Sequence, residues 1–194
     1  MIAEKIMELS TRAMTVSFST MDGREGECRG GKDDPVYSCR RKLRIRVRRM
    51  THEDVPDVVR IERESFEFPW LEDAFMRCMR PGNATPMVAV YEGHVVGSMV
   101  YEINRARLYV PNFAVAVDFR RCGVGSQMLA MLIQQQQAIR SARIIAEVRE
   151  LSVDGNLFFL ARNFQEIHVL WGAHDAHYMH YLSPHAHRIT RLVG

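Results

Sequence analysis

The 194-residue sequence predicts an α/β fold in which a mixed central sheet is flanked by helices. Three observations predict it. Short apolar segments with period-two alternation indicate strands, and apolar residues at helical spacing indicate helices. The two kinds of segment follow one another in the order β-α-α-β-β-β-α-β-α-β-β, and interleaved strands and helices build a layered domain.

The first three elements are predicted between residues 43 and 79. The segment "LRIRVRRM", from Leu43, alternates apolar residues with arginines, which is typical of a half-buried strand. Thr51 then caps a helix, with Asp54 three residues later as its partner. The apolar stripe of that helix consists of Val55, Val58, Val59 and Ile61. Pro69, in "FEFPW", breaks the helix, and residues 71–79 predict a second, short helix.

The remaining elements alternate more closely. "MVAVY" and "HVVGSMVYEI" are strands separated by Glu92-Gly93, which predicts a β-hairpin with a tight turn. In the next strand, "LYVPNFAVAV", Pro111 predicts a bulge because proline has no N–H for the ladder. A helix over residues 126–140 and the strand "IIAEV" follow. A helix over residues 156–162 ends at Asn163, which tolerates a left-handed cap, before the final strands "FQEIHVLW" and "AHYMHYL".

Composition and domain organisation favour one soluble domain. Hydrophobic residues make up 47% of the chain and charged residues 25%, which supports a packed core. "MDGREGECRGGKDDP" is rich in glycine and charge and lacks periodicity, so residues 1–42 are predicted to be a disordered leader. The patterned domain covers residues 43–184, and residues 185–194 form a C-terminal tail.

The same numbers exclude several classes of function. A formal net charge of +3 gives no strong field for nucleic acid, so direct nucleic-acid binding is not expected. The four cysteines contain no Cys-x-x-Cys pair, which excludes a disulfide framework and a zinc site of that kind. The N-terminus is not a signal peptide, and no apolar run reaches the roughly 20 residues of a membrane span. We therefore predict a cytoplasmic protein without a membrane partner.

A glycine pair marks the candidate site. The stretch "DFRRCGVGSQML" joins an apolar strand to the start of a helix and contains Gly123 and Gly125. Amides in the first helical turn have no helical partner and lie at the positive end of the helix dipole, so they bind anions. Arg120 and Arg121 add positive charge. A plain turn explains the same residues equally well, since neither a dinucleotide fingerprint nor a P-loop is completed.

Arg120 to Gly125 resembles the Q/R-x-x-G-x-G/A motif of the GNAT (GCN5-related) N-acetyltransferases, in which it cradles the pyrophosphate of acetyl-CoA. Further stretches resemble the RimI-like branch, the ribosomal-protein alanine N-acetyltransferases. They are "FPW" (Phe68–Trp70), "NFAV" (Asn112–Val115), "EVRE" (Glu147–Glu150) and "DAHYM" (Asp175–Met179). The resemblance covers about residues 43–184 and implies the GNAT acyl-CoA N-acyltransferase fold.

The resemblance implies acetyl-CoA as the co-substrate and no metal. Backbone groups that pair with the pantetheine would come from Phe113, Ala114 and Val115, with the Val115 amide aimed at the thioester oxygen. The pyrophosphate would be held by Arg121, Cys122, Gly123, Val124, Gly125 and Ser126. Ser152 stands where the family has an asparagine for the cofactor. The substrate-side loop would contain Phe68, Pro69 and Trp70.

Glu147 falls on the family's general base, which takes a proton from the amine directly or through water. A surface glutamate at the end of a strand is the alternative. Phe159 stands where the family has a tyrosine that protonates the leaving thiolate, so that acid is missing. A C-terminal histidine or Tyr178 is a candidate replacement. His177 and His180 point to opposite faces of a strand, so they do not share a metal ion.

The implied function is transfer of acetyl from acetyl-CoA to the N-terminal α-amine of a protein. By resemblance to the branch, that amine is the N-terminal alanine of a small-subunit ribosomal protein. Two alternatives stay open: a GNAT enzyme that acetylates a lysine or a small-molecule amine, and an acetyl-CoA-binding module with weakened catalysis. The "FPW" loop favours acetylation of a protein N-terminus, and Phe159 and Ser152 favour the binding module with weakened catalysis.

Overall fold

A computed structural model describes residues 42–104, 107–138, 143–171 and 177–182, with the backbone alone from residue 168 onward. Nearly all of the predicted leader and the whole predicted tail lie outside these ranges. The described strands are β1 Arg46–Arg49, β2 Ala84–Tyr91, β3 His94–Asn104, β4 Arg107–Val115, β5 Arg143–Arg149, β6 Gln165–Trp171 and β7 His177–Leu182. The described α-helices are α1 Val55–Ser65, α2 Glu72–Cys78, α3 Val124–Ala138 and α4 Val153–Leu160.

The strands form one mixed sheet in the order β1-β2-β3-β4-β5-β7-β6. The β4–β5 pair is parallel, and every other neighbouring pair is antiparallel. Alternate residues of β2 pack into two separate cores. Val88 packs into a core with α1 and α2, and Met87 packs into a core with α3 and α4. The helices therefore flank both faces of the sheet, which confirms the predicted fold class. None of the helices in the described part of the chain is long and apolar enough to cross a membrane.

The first helix begins as the sequence predicts. The Thr51 amide donates to Asp54 Oδ2 at 2.7 Å, and the Arg48 guanidinium donates to both Asp54 oxygens at 2.6 and 2.8 Å. Burial disfavours the ionised carboxylate, but these hydrogen bonds outweigh it, and the pKa of Asp54 lies below its ordinary value. A short 3₁₀ turn, His52–Asp54, leads into α1, whose predicted apolar stripe is buried.

Two predicted chain reversals are also confirmed. Glu92 and Gly93 both have positive φ, 48° and 85°, which makes the β2–β3 connection a two-residue turn of the type I′ class. Asn163 has φ 58°, the Asn163 amide donates to Leu160 O, and the Phe164 amide donates to Phe159 O. This is the Schellman arrangement that ends a helix. The boundaries differ by a few residues, since α3 begins at Val124 and α4 covers Val153–Leu160.

The bulge predicted from Pro111 occurs in β4. Opposite β3, Val100 pairs with Asn112 while Glu102 pairs with Tyr109, so two residues of β4 face one residue of β3. Because side chains alternate along a strand, the extra residue reverses their direction. Leu108 and Val110 therefore pack on the α3 side, whereas Ala114 packs on the α1 side.

Candidate active site

A gap opens in the middle of the sheet, between the two parallel strands. The β4–β5 ladder covers only Arg107–Val110 and Arg143–Ala146. Beyond it β5 continues to pair with β7, while residues 112–115 of β4 continue to pair with β3. Among the described residues, the edge of β4 that faces β5 therefore has no strand partner over Phe113, Ala114 and Val115. An unpaired edge of this kind accepts an extended ligand as an added strand.

The glycine pair lies at the end of this gap, and glycine suits each of the two positions for a different structural reason. Gly123 has φ 80°, a conformation that suits glycine, just before α3 begins. Gly125 is different, because a Cβ there would lie 3.0 Å from Cε2 of Phe158 and 3.6 Å from Cε1 of Phe113. Glycine at position 125 therefore allows an aromatic ring of α4 to pack against the first turn of α3.

The turn before α3 is anchored to the start of the described chain. The Leu43 amide donates to Cys122 O at 3.0 Å. Gln127, in α3, donates to Leu43 O at 2.7 Å and accepts from the Ile45 amide at 3.3 Å. The Cys122 side chain is buried, and its thiol lies 3.5 Å from Arg120 O. These contacts hold the backbone of the turn in place, and nothing in the sequence spacing reveals them.

The two arginines before the glycines point to different places. Arg120 donates from Nε to Val115 O at 3.2 Å and from Nη2 to Ser65 Oγ at 3.1 Å, which directs its guanidinium towards the end of α1. Arg121, with φ 63°, lies near the guanidinium of Arg162. Burial lowers the pKa of Arg162, and the positive charge of Arg121 lowers it further. The added positive charge at the turn thus comes from Arg121 and Arg162.

Glu147 lies where the parallel ladder ends. Its neighbours Ala146 and Val148 face the α3–α4 core, so Glu147 faces the α1–α2 side of the sheet. There its carboxylate accepts a hydrogen bond from the phenol of Tyr109. Tyr109 is the functional candidate that the sequence patterns did not reveal. The signal for it is the β4–β5 register, which pairs Tyr109 with Ile145, two residues before Glu147.

The predicted substrate-side loop lies on the same face. Arg149, two residues after Glu147, donates to Glu67 Oε2 at 2.9 Å, and its guanidinium carbon lies 4.6 Å from the centre of the Phe68 ring. The ring of Trp70 packs 5.6 Å from that of Phe75. Phe68 is 43% exposed, so one wall of the site presents an aromatic surface to solvent.

A buried carboxylate connects this loop to β4. Glu62, in α1, is 1% exposed. Its Oε1 accepts from Asn112 Nδ2 at 2.9 Å, and its Oε2 accepts from the Trp70 amide at 3.0 Å. Burial raises the pKa of Glu62, although the two hydrogen bonds oppose that shift. Asn112 Oδ1 is buried without a hydrogen-bond partner in the described part of the molecule.

The residues that depart from the family pattern lie at α4. Phe159 is 3% exposed, and its ring packs against those of Phe113, Phe158 and Phe164 at centroid distances of 5.9, 5.1 and 5.1 Å. It is a core residue without a proton to donate. The Ser152 hydroxyl lies at the first turn of α4, where a Cβ on Gly155 would be 2.9 Å from it.

Several candidates fall beyond the described side chains. The backbone of Tyr178 pairs with Arg149 and that of His180 pairs with Glu147, but the side chains of β7 are not described. Residues 175 and 176 of the "DAHYM" stretch also lie outside the described ranges. Where side chains are described, His, Cys, Asp and Glu do not form a group of three or more able to hold a metal ion.

The chain is similar to known proteins. Residues 54–164 match the family described as Acetyltransferase (GNAT) family. A Bacillus subtilis (strain 168) protein, provisionally named as a ribosomal protein bS18-alanine N-acetyltransferase, is 27% identical over 109 residues, which are 56% of this chain and 72% of that protein.

Similar folds occur among solved structures. The ribosomal-protein-S18-alanine N-acetyltransferase of Escherichia coli matches with a TM-score of 0.64 and 19% identity, over 72% of this chain and 93% of that chain. PaiA N-acetyltransferase of Thermoplasma acidophilum, solved with coenzyme A, matches with a TM-score of 0.57 and 13% identity, over 70% and 97% of the two chains.

Proposed function

The chain belongs to the GNAT acetyltransferase family and is an N-acetyltransferase, and from that premise we propose that its acceptor is the N-terminal α-amine of a protein. The observation that carries the proposal is the position of Glu147, at the open end of the parallel ladder and on the same face as the Phe68–Trp70 loop. A base beside an exposed aromatic wall suits an extended peptide that presents one amine. The N-terminal alanine of a small-subunit ribosomal protein is the specific acceptor we propose, supported by the Bacillus subtilis relative.

The residues present fit acetyl-CoA, which supplies a thioester-activated acetyl group when bound. The unpaired edge of Phe113, Ala114 and Val115 offers backbone groups to the pantetheine. Amides in the first turn of a helix have no helical partners, so those of the turn and of the first turn of α3 would be available to the phosphate oxygens. The residues we assign to the pyrophosphate are Arg121, Cys122, Gly123, Val124, Gly125 and Ser126. We assign the hydroxyl of Ser152 to the pantetheine, as the shorter substitute for the family's asparagine.

Proton transfer is assigned to Glu147 and Tyr109. An α-amine with an ordinary pKa near 7.7 to 8.0 is mostly protonated at neutral pH, so it must lose a proton before it attacks. Glu147 takes that proton, and the Tyr109 phenol orients the carboxylate through its hydrogen bond. Phe159 offers no proton, so we assign the return of a proton to the leaving group to the Glu147–Tyr109 pair. A thiol pKa near 8.5 makes that demand modest.

An acetylation assay with three acceptors tests the proposal. One is a peptide with a free N-terminal alanine and an internal lysine, the second is the same peptide with a blocked N-terminus, and the third is a small polyamine. We expect acetylation of the first alone, with mass spectrometry placing the acetyl group on the α-amine. Acetylation of the blocked peptide would make the protein a lysine acetyltransferase. Acetyl-CoA binding without turnover on any acceptor would favour the binding-module alternative.

A further inference from the structure

Arg162 follows the last turn of α4, and its guanidinium reaches across to the first turn of α3. Its Nη1 donates to Phe158 O at 2.8 Å, and its Nη2 donates to Ser126 Oγ at 2.6 Å. The guanidinium carbon lies 3.7 Å from the centre of the Phe158 ring. The two hydrogen bonds and the ring contact hold the guanidinium in one orientation.

The surroundings of this guanidinium are positive. Ser126 lies in the first turn of α3, where free amides and the helix dipole give a partial positive charge. Arg121 is close enough to lower the pKa of Arg162, after the larger effect of burial. Neither arginine forms an ion pair with a carboxylate among the residues that the structure describes. Two like charges at the positive end of a helix repel each other unless an anion lies between them.

We propose that Arg162 binds a phosphate of acetyl-CoA, together with Arg121 and the first-turn amides of α3. The proposal rests on the proposed function, since it adds a residue to that cofactor site. A guanidinium has five donors, and Arg162 uses two of them on neutral oxygens. The remaining donors and the full charge are available for phosphate oxygens, which arginine binds with two parallel hydrogen bonds. The phosphate is either the pyrophosphate or the 3′-phosphate of the ribose.

A purely structural role for Arg162 makes a different prediction. Arginines near the end of a helix donate to its last carbonyls, as Arg162 does to Phe158 O. In that case the side chain would affect the stability of the unliganded protein and leave cofactor affinity unchanged. Glutamine separates the two roles, because Arg162→Gln keeps an amide donor for Phe158 O or Ser126 Oγ and removes the charge.

The experiment measures the Kd of CoA and of 3′-dephospho-CoA by calorimetry for wild type, Arg162→Gln and Arg162→Lys. We expect Arg162→Gln to weaken CoA binding by about 10- to 100-fold, the range for losing hydrogen bonds to a charged group. Arg162→Lys keeps the charge and should retain part of the affinity. Arg60→Gln removes an equal charge from the surface of α1, on the other face of the sheet, and should bind as wild type does.

The two ligands identify the phosphate. An equal loss of affinity for both ligands assigns Arg162 to the pyrophosphate, and a loss for CoA alone assigns it to the 3′-phosphate. If wild type binds CoA and Arg162→Gln binds it with the same Kd, the assignment of Arg162 is wrong while the cofactor site stands. If Arg162→Gln does not fold, Arg162→Lys decides, and a wild-type Kd for CoA in that variant would overturn the proposal. If wild type binds no CoA, the proposed function and this inference both fall.

Discussion

Replacing Glu62 tests whether the buried carboxylate supports the substrate-side loop. In wild type it accepts from Asn112 Nδ2 at 2.9 Å and from the Trp70 amide at 3.0 Å. Glu62→Ala leaves both donors without an acceptor at a position that is 1% exposed. A buried donor without a partner costs about 1–3 kcal/mol, so with two such donors we expect the free energy of unfolding to fall by about 2–6 kcal/mol. Loss of the Trp70 anchor should also raise the KM for the acceptor.

Glu62→Gln should behave in the opposite way. The glutamine carbonyl can accept from the Trp70 amide, and its NH₂ group can donate to Asn112 Oδ1 if the Asn112 amide turns by 180°. That arrangement removes a buried charge and satisfies an oxygen that has no partner in the described structure. We therefore expect Glu62→Gln to match the wild-type free energy of unfolding at neutral pH, or to exceed it by about 1 kcal/mol.

The pH dependence supplies an independent check. Burial raises the pKa of Glu62 in the native state, so the native protein keeps this proton at pH values where the unfolded chain has released it. The stability that Glu62 contributes is complete below the ordinary carboxyl pKa, 4.5, and is lost as pH rises through the raised native value. Glu62→Gln does not lose stability in this way, because glutamine does not titrate. Its stability relative to wild type should therefore increase as pH rises.

Urea unfolding followed by tryptophan fluorescence measures the free energy of unfolding of wild type, Glu62→Ala and Glu62→Gln. An m-value that is the same in all three shows that their native and unfolded states are comparable. Glu64→Ala, at an exposed position on the same helix, is the matched control and should change stability by no more than about 0.5 kcal/mol. An unchanged urea midpoint in Glu62→Ala would refute the claim that Glu62 supports the Phe68–Trp70 loop. A loss in Glu62→Gln as large as that in Glu62→Ala would refute the hydrogen-bond argument.

Three further substitutions test the site and the fold. Glu147→Gln should lower kcat/KM at pH 7 by about 10²–10⁴ and leave acetyl-CoA binding nearly intact. The loss of kcat/KM should shrink at high pH, where more of the amine is neutral. A wild-type rate at pH 7 would make Glu147 a structural residue. Tyr109→Phe removes the hydrogen bond to that carboxylate and should lower kcat by about 10- to 100-fold; unchanged kcat would exclude Tyr109 from proton transfer. Asp54→Ala should destabilise the protein by about 1–2 kcal/mol at neutral pH, measured by urea unfolding. Because the pKa of Asp54 is lowered, wild type should lose this advantage as pH falls through that value, and a pH-independent difference would contradict the assignment.

The local features of this protein follow from its sequence. The capping pair Thr51 and Asp54, the turn at Glu92-Gly93, the bulge at Pro111 and the left-handed Asn163 each act within a few residues of themselves. Hydrogen bonds over such short spans have the same partners in nearly any tertiary context, so spacing predicts them. The order of strands and helices is equally local, since each element carries its own hydrophobic period.

The tertiary structure decided which distant residues meet. Tyr109 and Glu147 are 38 residues apart, Glu62 and Asn112 are 50 apart, and Ser126 and Arg162 are 36 apart. Those contacts depend on strand register, which a single sequence does not specify because a one-residue shift reverses every side chain of a strand. The packing reason for Gly125 and the turn of Arg120 towards α1 depend on the same register. The motif thus locates the proposed cofactor turn, and the packing of the helices on the sheet determines which side chains surround it.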